Sequence, residues 1–168
     1  LLPQYAGVPN PRQALADLYR VRGDESAMLQ ELEALARYQQ NAFDACFQLA
    51  KAYIDRDNHA RAIYFLERAI AVDPYQPDVH RLLANAALKT ADYKRAIRGF
   101  EILTALEVTD PVRAYTDLAQ AYLAQRRTER LEEAIARAAA EADDDPQVLV
   151  SIAALYKQIG RSDLADAV

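Results

Sequence analysis

Glycine, cysteine, methionine and tryptophan are scarce here: 168 residues hold four glycines, one cysteine, one methionine and no tryptophan. So few glycines leave a β-rich fold without the turn chemistry it needs, while abundant Ala, Leu, Arg and Glu favour helix almost throughout. A lone Cys46 rules out an intramolecular disulfide and leaves the redox compartment open. There is no apolar run long enough to span a bilayer and no basic-then-apolar leader, so membrane insertion is not expected. Lys and Arg nowhere form the clusters that displace counterions from phosphate, and the net charge is −5, so nucleic acid is not an expected partner. Arg126-Arg127 and Asp143-Asp144-Asp145 are short runs that read as solvated turn charges.

Catalytic signatures are missing too. There is no HExxH, no GxSxG, no glycine-rich phosphate loop and no paired-cysteine metal motif. His59 and His80 are out of register with each other, and His80 reads as a packing residue at a helix start. Cys46, near the start of a helix, has a reactive reading and a structural one; its repeat position points inward, where cysteine acts as a small hydrophobe. Carboxylates are scattered over polar faces rather than converging as an acid–base pair. No enzyme activity, cofactor or metal is expected.

What the chain does have is an internal period. A large–small pair recurs as Leu15-Ala16, Leu49-Ala50, Leu83-Ala84, Leu118-Ala119 and Ile152-Ala153. Three residues after each small residue stand Tyr19, Tyr53, Ala87, Tyr122 and Tyr156. Further on come Met28, Ala62, Ala96, Leu131 and Ala165, then Leu32, Leu66, Phe100 and Ile135. The step is 34 residues, with one residue added around Val108 to Pro111. Each unit thus writes one apolar stripe on a first helix and another on a second, and neither stripe can be buried alone. Asp110-Pro111 and Asp145-Pro146 place a capping acceptor before a proline at the first helical position. Gly23 and Gly160 follow their tyrosines by four residues, where a left-handed residue would end a helix. Asp57, Ala91 and Arg126 hold that place in the middle units. Ala and Arg tolerate the left-handed region poorly, so turns of another shape are expected there.

These residues resemble the tetratricopeptide repeat family, whose pattern runs aromatic, Leu, Gly or Ala, Tyr, then Ala, Phe and Pro over 34 residues; Phe43 to Gln76 match it nearly throughout, with Cys46 at the usual aromatic place. The resemblance implies an all-α, right-handed superhelical solenoid of about 4.5 helix-turn-helix repeats in one domain, 1–168, with units starting near 9, 43, 77, 112 and 146. It also implies a protein or peptide partner held in a concave groove lined by first helices. The groove candidates are Phe47, Lys51, Ile54, Arg81, Asn85, Leu88, Lys89, Arg113, Thr116, Gln120 and Leu123.

Ile54, Leu88 and Leu123 stand at equivalent places, either as an apolar line along the groove or as packing between first helices. Arg81 and Asn85, with Lys51, Lys89 and Arg113 nearby, could receive a carboxylate. Alternatively the basic residues pair with Asp44, Asp55 and Asp78. Some relatives grip the acidic tails of heat-shock chaperones, but Phe47 and Asp117 stand where that clamp needs Lys and Asn, so this partner is not expected. Tyr64, Tyr75, Tyr93 and Tyr115 fall on second helices, turns or helix starts, where partial burial is ordinary.

The chain begins without Met and its fifth unit stops early, so a longer parent protein is expected. An interaction scaffold is the leading reading. A recruiting or regulatory segment of a larger enzyme or of secretion or assembly machinery is the second, and a self-assembly module the third. The unit containing Ile152 and Tyr156 is expected to be frayed, or covered by another copy of the chain, because a solenoid end exposes apolar surface.

Overall fold

The computed structural model describes residues 10–39, 41–106, 110–143 and 145–167. Ten helices run through them: α1 (Pro11–Arg22), α2 (Glu25–Tyr38), α3 (Phe43–Asp55), α4 (His59–Val72), α5 (Pro77–Lys89), α6 (Tyr93–Ala105), α7 (Pro111–Ala124), α8 (Thr128–Ala140), α9 (Pro146–Gln158) and α10 (Ser162–Ala165). Strands are absent among the described residues. Part of the added-residue segment, Val108 and Thr109, lies outside the described residues, as does Asp144.

Helix starts are set by side chains that accept from the first free backbone N–H groups. Asn10, Asp24, Asn58, Asp92, Asp110 and Asp145 all cap in this way, three of them directly before a proline. Helix ends show one departure from expectation. Asp57, Ala91 and Arg126 adopt φ of 57°, 58° and 58°, the same left-handed region as Gly23 and Gly160. In all five turns the N–H of the next residue bonds back to the residue at the tyrosine position, at 2.8 to 3.0 Å. The expected change of turn shape at Ala91 and Arg126 does not occur. The reason is geometric: closing each helical hairpin demands this Schellman-type turn, and helix packing overrides local preference.

The chain divides into two compact units, Leu1–Val79 and His80–Val168. In the first, α1 packs on α2, α2 on α3 and α3 on α4. Its centre is Ala16, Leu32, Leu49, Ala50, Ala62, Leu66 and Ala69, all at most 1% exposed. Leu15, by contrast, stays 39% exposed although it occupies an inward repeat position. Among the described residues no helix precedes α1 to cover that side.

In the second unit α6 packs on α7, α7 on α8, α8 on α9 and α9 on α10. Phe100, Leu103, Leu131, Ile135 and Ile152 are the largest of its fully buried side chains. The closest approach of α5 and α6 is made by Ala84 and Gly99: a Cβ on Gly99 would stand 2.9 Å from the Ala84 Cβ and 3.4 Å from the His80 carbonyl. Tyr156 and Ile152, expected to lack cover, are 5% and 0% exposed. The single turn of α10 supplies that cover, and Arg161 ties it to α8 through Glu132 at 2.9 Å while also gripping Asp163.

Candidate functional site

In the first unit, α3 places half-buried Phe43 and Phe47 and exposed Lys51 on one stripe by their four-residue spacing. The Phe43 and Phe47 rings stack with centroids 5.9 Å apart, and the Lys51 ammonium stands 5.4 Å above Phe47. Phe47 and Lys51 border a cleft of about 480 Å³ that also touches Met28, Gln48, Ala52 and Asp55. Charges at its rim are partly matched, Arg20 with Asp17 at 2.6 Å and Glu25 with Arg56 at 3.0 Å. Lys51 pairs with neither Asp44 nor Asp55 in the set of ion pairs among the described residues. Ile54 is half-buried beside this stripe.

The second unit organises its first helices differently. Arg81 of α5 donates to Asp117 of α7 at 3.0 Å, and the two side chains are only 12% and 19% exposed. Burial pushes the Asp117 carboxyl above the ordinary carboxylate range, against the opposing pull of Arg81 and then Arg113. Arg81 is therefore committed within the chain, to a partner other than Asp44, Asp55 or Asp78. Register arithmetic contains the signal for Asp117: it follows Arg81 by 36 residues, one local repeat step of 35 plus one.

Around this pair Asn85, Lys89, Arg113 and Gln120 are exposed. The Thr116 hydroxyl is turned back onto the Arg113 carbonyl at 3.0 Å. Leu88 and Leu123 pack against the buried cluster of the unit and keep part of their surface open.

On the second-helix side, the tyrosines of the repeat gain polar partners that sequence reasoning missed. The Tyr53 hydroxyl donates to Glu33 at 2.5 Å, and the Arg61 guanidinium bonds both Glu33, at 3.2 Å, and the Tyr53 oxygen. The Tyr122 hydroxyl donates to Glu101 at 3.0 Å. Burial first, then the neighbouring carboxylate, raises both phenol pKa values. Glu33 and Glu101 lie two repeat steps apart, so the recurrence is visible once the units are aligned. Tyr64 and Tyr75 are 55% and 75% exposed, more than a second helix and a turn led one to expect, whereas Tyr93 and Tyr115 are half-buried.

Cys46 is 1% exposed and burial raises its thiol pKa, which suits a packing residue. His80 is likewise buried. Among the described residues no group of three or more His, Cys, Asp or Glu could hold a metal ion. None of their helices is long and apolar enough to cross a membrane.

The family model of the tetratricopeptide repeat matches residues 53–112. Among solved structures, one described as the MamA protein aligns with TM-score 0.76 at 20% identity, covering 93% of this chain and 85% of that one. A MamA segment from Desulfovibrio magneticus RS-1 gives 0.74 at 20% identity over 93% and 88%. The nearly identical TPR-like repeats of a putative kinesin light chain from Podosopora anserina give 0.69 at 19% identity over 93% and 89%. No curated protein matches the chain. With the recurring stripes, the shared hairpin turns and these matches together, residues 53–112 match the tetratricopeptide repeat and the chain has the all-α fold of tetratricopeptide-repeat solenoids.

Proposed function

We propose that the chain is a binding module whose first-helix faces hold an extended segment of another protein. The repeat fold supports a protein–protein interaction scaffold in general. The observation that carries the finer reading is on α5 and α7, where Asn85, Lys89, Arg113 and Gln120 stay exposed beside the largely buried Arg81–Asp117 pair. An extended peptide brings unpaired backbone N–H and C=O groups that need partners, and side-chain amides offer both donor and acceptor. The Arg81–Asp117 pair ties two neighbouring first helices together, so the backbone that carries the exposed groups needs no rearrangement at binding. In the first unit, the cleft beside Phe47 and Lys51 suits an apolar side chain flanked by a carboxylate.

Selection of a random peptide library on the immobilised chain tests this reading. Selected peptides are expected to lose about tenfold or more in affinity, at least 1.4 kcal/mol, when Asn85 and Gln120 are both changed to Ala. They should be unaffected by Glu129→Ala at an exposed position of α8. Indifference to the Asn85 and Gln120 changes would sink the proposed binding face.

A further inference from the structure

The second-helix face of the first unit carries a cleft that the first-helix reading leaves unused. It lies between α2 and α4, measures about 580 Å³, and is lined by Glu33, Arg37, Arg61, Tyr64, Phe65 and Arg68. Three guanidiniums stand there against one carboxylate, in a chain whose net charge is −5. Two of them are held from behind. Arg61 bonds Glu33 and the Tyr53 oxygen through one nitrogen and lies 5.0 Å from the Tyr53 ring. Arg68 donates to the Ala36 carbonyl near the end of α2 and lies 5.9 Å from the Tyr64 ring. Each keeps further N–H donors on its fork, and Arg37 has no hydrogen bond or ion pair among the described residues.

The second unit shows what a neutralised version of this arrangement looks like. Two repeat steps along, Arg130 and Arg137 stand at the places of Arg61 and Arg68, and Glu133 stands at the place of Tyr64. Glu133 binds both arginines, at 3.1 and 3.8 Å. In the first unit a 55% exposed tyrosine replaces that carboxylate, so only Glu33 offsets the three guanidiniums and an aromatic face lies beside them.

We infer that this cleft docks an acidic segment of a partner protein, whose carboxylates take the spare donors of Arg37 and Arg68 beside the Tyr64 ring. The planar Arg68 guanidinium, already held by the Ala36 carbonyl, receives a carboxylate with little further loss of freedom, and Arg37 beside it adds a second fork of donors. The cleft is also larger than one anion needs and is floored by buried Phe65, which suits a peptide rather than a free ion.

Fluorescence anisotropy with fluorescein-labelled hexaglutamate at low salt tests the inference on the whole chain. Saturable binding is expected, weakened at least about tenfold by Arg37→Glu and by Tyr64→Glu, the latter supplying the carboxylate that the second unit has. Arg68→Lys, which keeps the charge but loses the fork, is expected to weaken binding about threefold or more. Arg98→Glu at an exposed position of α6 changes net charge as much as Arg37→Glu and should stay within about twofold of the parent chain. Helical circular dichroism should be the same in every variant, and Arg37, which is exposed and without a bonded partner, keeps the test usable if another variant misfolds. Absence of saturable binding, an equal loss in Arg98→Glu, or displacement of hexaglutamate by inorganic phosphate at the same molar concentration would each overturn the inference.

Discussion

The second and third repeats fill the same space with opposite solutions. In the first unit Tyr53 and Phe65 stack with ring centroids 5.7 Å apart. One repeat step on, in the second unit, Ala87 and Gly99 occupy the equivalent places, both buried. Two large rings there become two of the smallest residues here, and the helices close up until the Ala84 Cβ meets Gly99. First-helix faces differ in the same spirit: stacked phenylalanines and a lysine on α3, a largely buried ion pair between α5 and α7. A repeat therefore constrains the pair of residues that share a gap rather than either residue alone.

Emptying the aromatic gap should give the largest effect. Phe65→Ala leaves Tyr53 without its stacking partner and is expected to destabilise the first unit by about 3–5 kcal/mol. Urea unfolding followed by circular dichroism measures this. A loss below about 1 kcal/mol would mean that the gap collapses as easily as the Ala87–Gly99 gap is built.

The ion pair comes next. Asp117→Ala strands the Arg81 guanidinium in a largely buried position and is expected to cost about 2–4 kcal/mol. Lys51→Ala, at an exposed position of α3, should change stability by less than about 0.5 kcal/mol. Hydrogen exchange would localise the first loss to α5 and α7. There is also a pH signature. Asp117 has a raised pKa in the folded chain, so folding takes up a proton at this site as pH falls through that raised range. The stability gap between the parent chain and Asp117→Ala should therefore widen on mild acidification and narrow as pH rises. The opposite trend would show that the carboxylate is stabilised by Arg81 more than it is penalised by burial.

Gly99→Ala probes the narrow gap directly. Alanine gains about 1 kcal/mol of helix propensity over glycine. Against that, its Cβ meets the Ala84 Cβ and the His80 backbone, neither of which can rotate away, and overpacking costs about 1–3 kcal/mol. A net loss of about 1 kcal/mol is expected in the same unfolding experiment, and a net gain would show that α5 and α6 have slack.

These contrasts also explain which parts of the molecule could be read from the chain. Ala50, Leu66, Phe100, Ile135 and the buried tyrosines announce themselves, because every repeat must bury the same stripe and each copy restates it. Arg81–Asp117 does not, since an ion pair between neighbouring first helices becomes visible only when two units are aligned and a residue of offset is allowed. Among the proposed groove residues, Lys89, Arg113 and Gln120 owe their exposure to helix phase, which periodicity predicts. Arg61, Arg68 and Tyr64 were hidden for another reason. They lie on the second helices, where the repeat pattern specifies only the inward residues and is silent on the outward ones. Leu15 and Tyr156 show the limits of periodicity at the first and last described repeats, where burial depends on which helices are adjacent rather than on the stripe.

The smallest expected effect concerns the hairpin turns, where the two units differ in residue type but not in geometry. Ala91 and Arg126 hold φ of 58°, a region in which an L-residue's Cβ crowds its own carbonyl at a cost of about 1–2 kcal/mol. Glycine removes that crowding but begins from a freer unfolded chain, which returns about 0.5–1 kcal/mol of the gain. Ala91→Gly and Arg126→Gly should each stabilise the second unit by about 0.5 kcal/mol, and their effects should add because the turns do not share a contact. Asp57→Gly in the first unit should give less, since aspartate already tolerates this region through its short polar side chain. The ranking, Ala91 and Arg126 above Asp57, is read from thermal midpoints of the three single variants and the double variant. Should Asp57→Gly match the other two, the strain would belong to the turn's hydrogen bonds and not to the side chain, and the residue differences between the units would have no energetic consequence at these turns.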